Sequence, residues 1–392
     1  MIREMVIAVY LLAFRMVFAF FKWFPKTNKT TFVASFGHNV LYTVRALENM
    51  TDQRVIILKT HKCCMAFDDS PRRRVIRFKF PHVLHWLRAI YHLATCKNVF
   101  VDNYYGFLAV THFRTNVSCI QLWHAAGAIK TFGLKDKTIK HRHPLALRRF
   151  KKVYNRFDYV VTGSEKMASI FEEAFGLSGE HILKTGVPRT DFFFDTEDQF
   201  RKKSALTGQF PGIGHRKIIL YAPTYRDGAL DDSDLRLDIA KMYTELHRDY
   251  VLFLSLHPKM RVQTAYAYHD FVYDISGLEN INHMLFMTDI LISDYSSVPF
   301  EFALCCKPMV FFAYDLEEYS ESKGFWTNYE ELVPGPVVKD TESLIDVLKA
   351  GRFNIEEIGT FNHEWNYTST GRSSEKLIQT LYHPNDTSTP HR

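Results

Sequence analysis

Two adjacent serines, Ser296 and Ser297, stand between a short apolar run, Ile290-Leu291-Ile292, and the helical pattern opened by Val298-Pro299. Proline is tolerated in the first turn of a helix, and Pro308 to Phe312 reads as the next strand. A helix start leaves backbone N–H groups without partners and carries partial positive charge. Two hydroxyls at that point complete a cradle for a phosphate or diphosphate. Serine also caps helices where no ligand binds, and this segment alone leaves both uses open. Other reactive side chains follow other apolar runs: Trp123-His124, Gly186-Val187-Pro188-Arg189, Ala222-Pro223-Thr224-Tyr225-Arg226-Asp227 and His257-Pro258-Lys259. Histidine moves protons near neutral pH, and arginine facing a phosphate cradle suits an anionic substrate. Each also has a plain structural use, as a hydrogen-bonded histidine or a surface ion pair. Their recurrence at the ends of strands points to a site, because open parallel sheets bind ligands there.

The elements that would position these groups form two rounds of strands alternating with helical material. The first round has apolar strands at Thr31–Phe36, Arg54–Leu58, Asn98–Val101, Cys119–Trp123, Tyr159–Thr162 and Ile182–Thr185. The second has Lys217–Tyr221, Tyr250–Leu256, the run before Ser296, and Met309–Phe312. A doubly wound α/β pattern that appears twice predicts two Rossmann-like domains with a ligand cleft between them. The polar, glycine-containing stretch Asp195–Arg216 reads as the linker. The expected division is a helix over 1–24, a first domain over 25–205, a second over 206–382, and a disordered tail over 383–392.

Composition narrows the setting. A chain of 392 residues, 46% of them hydrophobic, is long enough for two real cores. The six cysteines, with adjacent pairs at Cys63-Cys64 and Cys305-Cys306, match neither a zinc spacing nor a disulfide framework. A reducing compartment and no structural metal are expected. The first 25 residues are apolar but carry Arg3, Glu4, Arg15 and Lys22, which argues against a spanning helix, and no small-residue cleavage site follows. A helix lying in the membrane interface fits them, with a buried core helix as the alternative. Two basic stretches lean the same way: Arg72-Arg73-Arg74 with the aromatic-rich segment after it, and the run from Lys135 to Arg156. Each cation near an anionic leaflet adds about 1 kcal/mol. A net charge of +6 and the lack of an RNA-binding aromatic motif argue against nucleic acid.

In combination the motifs closely resemble a known family. Trp123–Asp136, Val161–Phe171, Lys184–Asp191, Ile219–Asp227, Leu256–Pro258 and Ser293–Asp315 are similar to the CDP-glycerol glycerophosphotransferases of wall teichoic acid synthesis, over nearly the whole chain. Chain length, the apolar N-terminus and Asp102–Val110 look most like the family's priming members. The resemblance implies a GT-B architecture, monotopic attachment at the cytoplasmic membrane face of a bacterium, and no cofactor. It implies transfer of one glycerol phosphate from CDP-glycerol to an undecaprenyl-diphosphate-linked ManNAc-GlcNAc, with CMP leaving.

Carried over residue by residue, it makes His124 the general base. Trp123, Ala125, Ala126, Gly127, Arg189, Pro223, Thr224, Ser255, Leu256, His257, Ser296, Ser297 and Glu301 become substrate-binding positions. Glu301 would serve the ribose or the glycerol. The chain departs from many members by having Ala125-Ala126-Gly127 after Trp-His, Ser255 where some carry a basic residue, and Glu301 where others carry Asp. Turnover without metal is expected, because fixed donors can stabilise the departing CMP; EDTA inhibition reversed by Mg²⁺ would contradict it. The expected partners are CDP-glycerol, the lipid-linked disaccharide, an anionic membrane surface and a second copy of the chain as a homo-oligomer. Two sister activities remain open, a poly(glycerol phosphate) polymerase and a transferase using CDP-ribitol, and two more distant readings, a nucleotide-sugar GT-B glycosyltransferase and a non-catalytic membrane- or polyanion-binding protein.

Overall fold

The computed structural model describes residues 2–79, 82–226, 235–257, 260, 267–278 and 280–383. The expectations for Asp227, Pro258, Lys259 and the tail beyond residue 383 lie outside the described residues.

Among the described residues, thirteen strands form two sheets, each parallel throughout. In chain order the first seven are β1 (Lys29–Ala34), β2 (Arg54–Lys59), β3 (Arg73–Arg77), β4 (Asn98–Val101), β5 (Ser118–Gln121), β6 (Tyr159–Val161) and β7 (Ile182–Leu183). They lie in the order β3-β2-β1-β4-β5-β6-β7. The second sheet contains β8 (Lys217–Ala222), β9 (Tyr250–Leu254), β10 (Val272–Asp274), β11 (Ile290–Ser293), β12 (Met309–Phe312) and β13 (Val337–Val338). Its order is β10-β9-β8-β11-β12-β13, so its six strands repeat the winding of the first six. That winding is Rossmann-type, and its switch point falls between the first and fourth strands.

Central strands are buried on both faces and read as continuous apolar runs: all six residues of β1 and all four of β11 and β12 are buried. The strands not expected from sequence sit at or next to sheet edges. β3 is Arg-Arg-Val-Ile-Arg with a single buried residue, and its charges are tolerated because one side of an edge strand faces solvent. β10 and β13 contribute three and two residues.

By contacts the chain divides into two units. One comprises 1–124, 132–191 and 367–392; the other comprises 125–131 and 192–366. The boundaries differ from the linear division at 205/206, because the helix Ser373–Tyr382 returns to the first sheet's unit. Its Leu377 and Ile378 join the core formed by Phe32, Val44, Ile57 and Phe100. Much of the expected linker is regular structure: Thr196–Gln209 is a helix whose first turn is capped by Asp195, which accepts from Asp198 N–H at 2.9 Å.

The helix Ile2–Phe21 is long and apolar enough to cross a membrane by length and composition. A single exposed arginine can extend its long stem and keep its charge wet. Only Phe14 and Phe18 of this helix are buried. Phe14 stacks on Phe107 at 5.0 Å and meets Trp86 edge-on, and Arg149 binds Glu4 at 2.9 Å. Ile2, Met5, Val9, Leu12, Met16 and Phe20, three or four residues apart, form an exposed apolar stripe.

Candidate active site

In the first unit, the carboxyl ends of β1, β4 and β5 meet around Asp102, the residue that follows β4. Asp102 is buried, and its carboxylate accepts from the backbone N–H groups of Ser35, Phe36 and Gly37 at 2.8–3.1 Å and from the Tyr105 hydroxyl at 2.8 Å. Gly37 has φ +91°, and a Cβ there would lie 2.7 Å from Met65, so the turn that aims these amides requires glycine. Burial pushes the Asp102 carboxyl up, and the hydrogen bonds from Gly37, Ser35, Tyr105 and Phe36 oppose that shift.

His124, just beyond β5, rests on this arrangement. Its ring stacks on Phe36 with centroids 4.0 Å apart and lies tilted against Trp123 at 4.3 Å, and its Nδ1 lies 3.3 Å from the Asp102 carbonyl oxygen. A carbonyl only accepts, so the hydrogen belongs on Nδ1 and the Nε2 lone pair is free to take a proton. Burial, with repulsion from the Arg189 guanidinium second, lowers the His124 pKa to about 3, against the weak opposing pull of that carbonyl. The imidazole is therefore neutral across the physiological range.

Trp123 has φ +56°, a left-handed backbone that is costly for a bulky residue. Surrounding contacts hold it there. Its ring stacks on Phe132 at 4.8 Å and packs edge-on against Phe171 and Phe175, and its backbone N–H donates to Gln121 Oε1 at 2.9 Å. Asn39, 2% exposed, donates to the carbonyls of Leu122 and Trp123 and accepts from Arg189 N–H at 3.0 Å, so one amide ties Arg189 to the histidine loop. Sequence reasoning did not single out Asn39 or assign Asp102 a role. Asp102 stood inside a quoted motif, and the only local sign of Asn39 was its place at the start of a helix after a strand.

The second unit repeats the plan with other partners. Asp294 follows β11, is 1% exposed, and accepts from Thr224 N–H at 2.8 Å and Arg226 Nη1 at 2.9 Å. Arg226 also makes a two-pronged pair with Asp315 at 2.8 and 3.0 Å, and its guanidinium lies over the rings of Tyr295, Tyr314 and Tyr319. Arg226 is therefore neither a surface ion pair nor a cation open to substrate. It is neutralised by two carboxylates and enclosed by aromatic rings.

Ser296 and Ser297 follow Asp294 and Tyr295, and both are half-buried. The helix begins at Val298 as expected, but it runs only to Phe302 before tightening into a 3₁₀ turn at Ala303–Cys305. Its dipole is correspondingly small. Ser296 Oγ accepts from Val298 N–H at 3.3 Å, while the Ser297 side chain makes no capping bond. Any anion cradle here therefore rests on local N–H groups and hydroxyls more than on a helix field. Glu301 is fully buried and accepts from Ala126 N–H at 3.2 Å. Gly127 comes so close to Phe300 that a Cβ would lie 2.2 Å from the ring. Gly127 thus packs against the short helix, and Glu301 holds the backbone at Ala126. The same segment places half-buried Lys130 beside Tyr319, and burial lowers its pKa while Asp294 pulls it up. Leu256 is 5% exposed and belongs to the second unit's core, so its side chain faces packing. Ser255 is half-buried, Pro223 leads into the Thr224 turn, and exposed His257 stacks on Tyr225 at 4.3 Å. Trp123, His124 and Arg189 thus gather in one unit, and the remaining predicted positions belong to the other.

Two Rossmann-type parallel sheets, with imidazole, guanidinium, hydroxyl and carboxylate groups at their carboxyl edges, are the build of a group-transfer enzyme acting on phosphorylated substrates. Sequence comparison makes the class specific. The chain belongs to the CDP-glycerol:poly(glycerophosphate) glycerophosphotransferase family, whose profile matches residues 16–383. It is 34% identical to the teichoic acid glycerol-phosphate primase of Bacillus subtilis (strain 168), across 96% of this chain and 97% of that one. It is 36% identical to the corresponding primase of Bacillus spizizenii, across 94% and 96%. The fold is similar to a His→Asn variant of the wall teichoic acid polymerase TagF soaked with CDPG, at TM-score 0.77 and 20% identity over 97% of both chains.

Proposed function

We propose that this glycerophosphotransferase primes wall teichoic acid, moving a single glycerol phosphate from CDP-glycerol to undecaprenyl-diphosphate-linked ManNAc-GlcNAc with release of CMP. The observation that carries the chemistry is the neutral His124 ring, with Nδ1 turned to the Asp102 carbonyl and Nε2 available. An acceptor hydroxyl attacks the glycerol-bearing β-phosphorus, its proton passes to Nε2, and the bond from that phosphorus to the CMP oxygen breaks. General-base help of this kind is worth about 10²- to 10⁴-fold. His257, Ser255, Thr224 and the Ser296-Ser297 turn bind the diphosphate and stabilise departing CMP, in keeping with a reaction governed by positioning and charge. Pro223 shapes the Thr224 turn, and Glu301 acts by holding the backbone at Ala126.

The two units work as the halves of a GT-B enzyme. The first serves acceptor and membrane, and the second serves CDP-glycerol. The apolar stripe of Ile2–Phe21 lies on the cytoplasmic leaflet, assisted by the basic helix Pro144–Tyr154. End-to-end similarity to two primases favours priming over polymerisation.

CMP release is measured with CDP-glycerol and a synthetic lipid-linked disaccharide, with mass analysis of the product. One added glycerol phosphate, lost in a folded His124→Ala that still binds donor, is expected. A ladder of additions means a polymerase. Turnover only with CDP-ribitol reassigns the donor, and normal turnover by His124→Ala removes the base.

A further inference from the structure

A cavity of about 260 Å³ opens in the first unit at the carboxyl ends of β1 and β2 and beside the loop after β4. None of the residues discussed above as substrate-binding lines it. One wall is aromatic: Tyr10 from the apolar N-terminal helix, Phe78, Trp86 and Tyr104. Trp86 Nε1 donates to the Tyr10 hydroxyl at 3.2 Å, which fixes the two rings as one surface. The opposite side is polar, with Ser35, Thr60, His61 and Lys62. Ser35 and Thr60 share a hydrogen bond of 3.0 Å, and Ser35 Oγ lies in hydrogen-bond contact with the Tyr105 hydroxyl at 2.9 Å. Lys62 is exposed and makes no ion pair among the described residues.

We infer that this cavity is the acceptor subsite, taking a sugar ring of the lipid-linked glycan against the aromatic wall and its diphosphate against Lys62 and His61. The inference rests on the priming activity proposed above. Flat apolar faces opposite fixed hydroxyls suit a pyranose, which presents C–H groups on its faces and hydroxyls on its edges. The Lys62 ammonium at the rim, with the His61 imidazole as a hydrogen-bonding neighbour, suits a diphosphate. The volume falls just below the common ligand range of about 300–1,000 Å³, so the cavity holds one ring and leaves the rest of the head group outside. Two connections favour the acceptor over the donor. Ser35 precedes Phe36, whose ring lies on His124, so an occupant sits beside the loop that supports the base. Tyr10 belongs to the helix bearing the exposed apolar stripe, so a lipid tail can leave along the surface expected to meet the bilayer.

The test uses the full chain and two acceptors, the disaccharide on a diphosphate lipid and the same disaccharide on an uncharged alkyl chain. Lys62→Gln is expected to raise KM for the diphosphate acceptor about tenfold, to leave KM for the uncharged one unchanged, and to leave CDP-glycerol Kd within about twofold. Tyr104→Leu is expected to raise KM for both acceptors, again with donor binding kept. Folded variants that retain wild-type KM for both acceptors overturn the assignment. Wild-type protein that binds no CDP-glycerol overturns the priming reading instead. The subsite then stands or falls on direct binding of the diphosphate acceptor, which Lys62→Gln must weaken.

Discussion

The two units place an aspartate at the same point of the same winding. Asp102 follows the fourth strand of one sheet and Asp294 the fourth strand of the other, and each fastens the loop leaving its first strand. The partners differ. Among the described residues, Asp102 is met by three amides and a phenol and by no cation, whereas Asp294 is met by one amide and a guanidinium that a second carboxylate also grips. One carboxylate builds a rigid polar nest under an imidazole, and the other anchors an ion-pair cluster inside an aromatic cage. The same topology thus supports a neutral imidazole in one unit and a packed structural centre beside the serine turn in the other. Homologous positions in a repeated fold do not carry equivalent chemistry, because local partners decide it.

Breaking Asp294 should have the largest effect on stability. Asp294→Ala leaves Arg226 buried with one carboxylate instead of two, and removing a partner from a buried pair costs about 3–5 kcal/mol. Chemical denaturation checks this, and a loss under 1 kcal/mol would show that Asp315 suffices. Asp102→Asn should cost less, about 1–3 kcal/mol, since an amide keeps the shape but turns donors toward donors. It should also lower kcat more than it weakens donor binding, because the displaced loop carries Phe36 under His124. A variant with intact kcat would separate the nest from the base.

The smallest effect concerns acid. Burial holds His92 down to about 4 and His124 to about 3, so the folded first unit keeps both neutral while an unfolded chain protonates them below the ordinary value of about 6.5. A depressed histidine contributes full stability above its unfolded pKa and loses it as pH falls toward the folded one. Each should therefore cost roughly 1–2 kcal/mol at pH 5 relative to pH 7.5. Thermal unfolding across that range checks the sign, and His92→Phe should flatten the slope.

The repeated parallel-sheet pattern was legible in the sequence because buried central strands must be short, continuous and apolar, as β1, β8 and β11 are. β3 was not legible, since an edge strand can carry three arginines and still pair. The start of the helix at Val298 was readable from Pro299, but its end was not, because the turn at Ala303–Cys305 answers to packing. Likewise, residue types at strand ends identified His124 and Arg189 as candidates. Arg226 has the same type and a similar position, and its role became clear only when Asp294, Asp315 and three tyrosines were seen around it.

By itself, then, the sequence determined two α/β units, an apolar N-terminus and the residues with chemical potential, because periodicity and residue type are local properties. Only the tertiary structure decided which of those residues are occupied with one another. Hydrogen-bond partners such as Asn39 and Arg189, or Glu301 and Ala126, lie 150 and 175 residues apart, and no local pattern encodes such pairings.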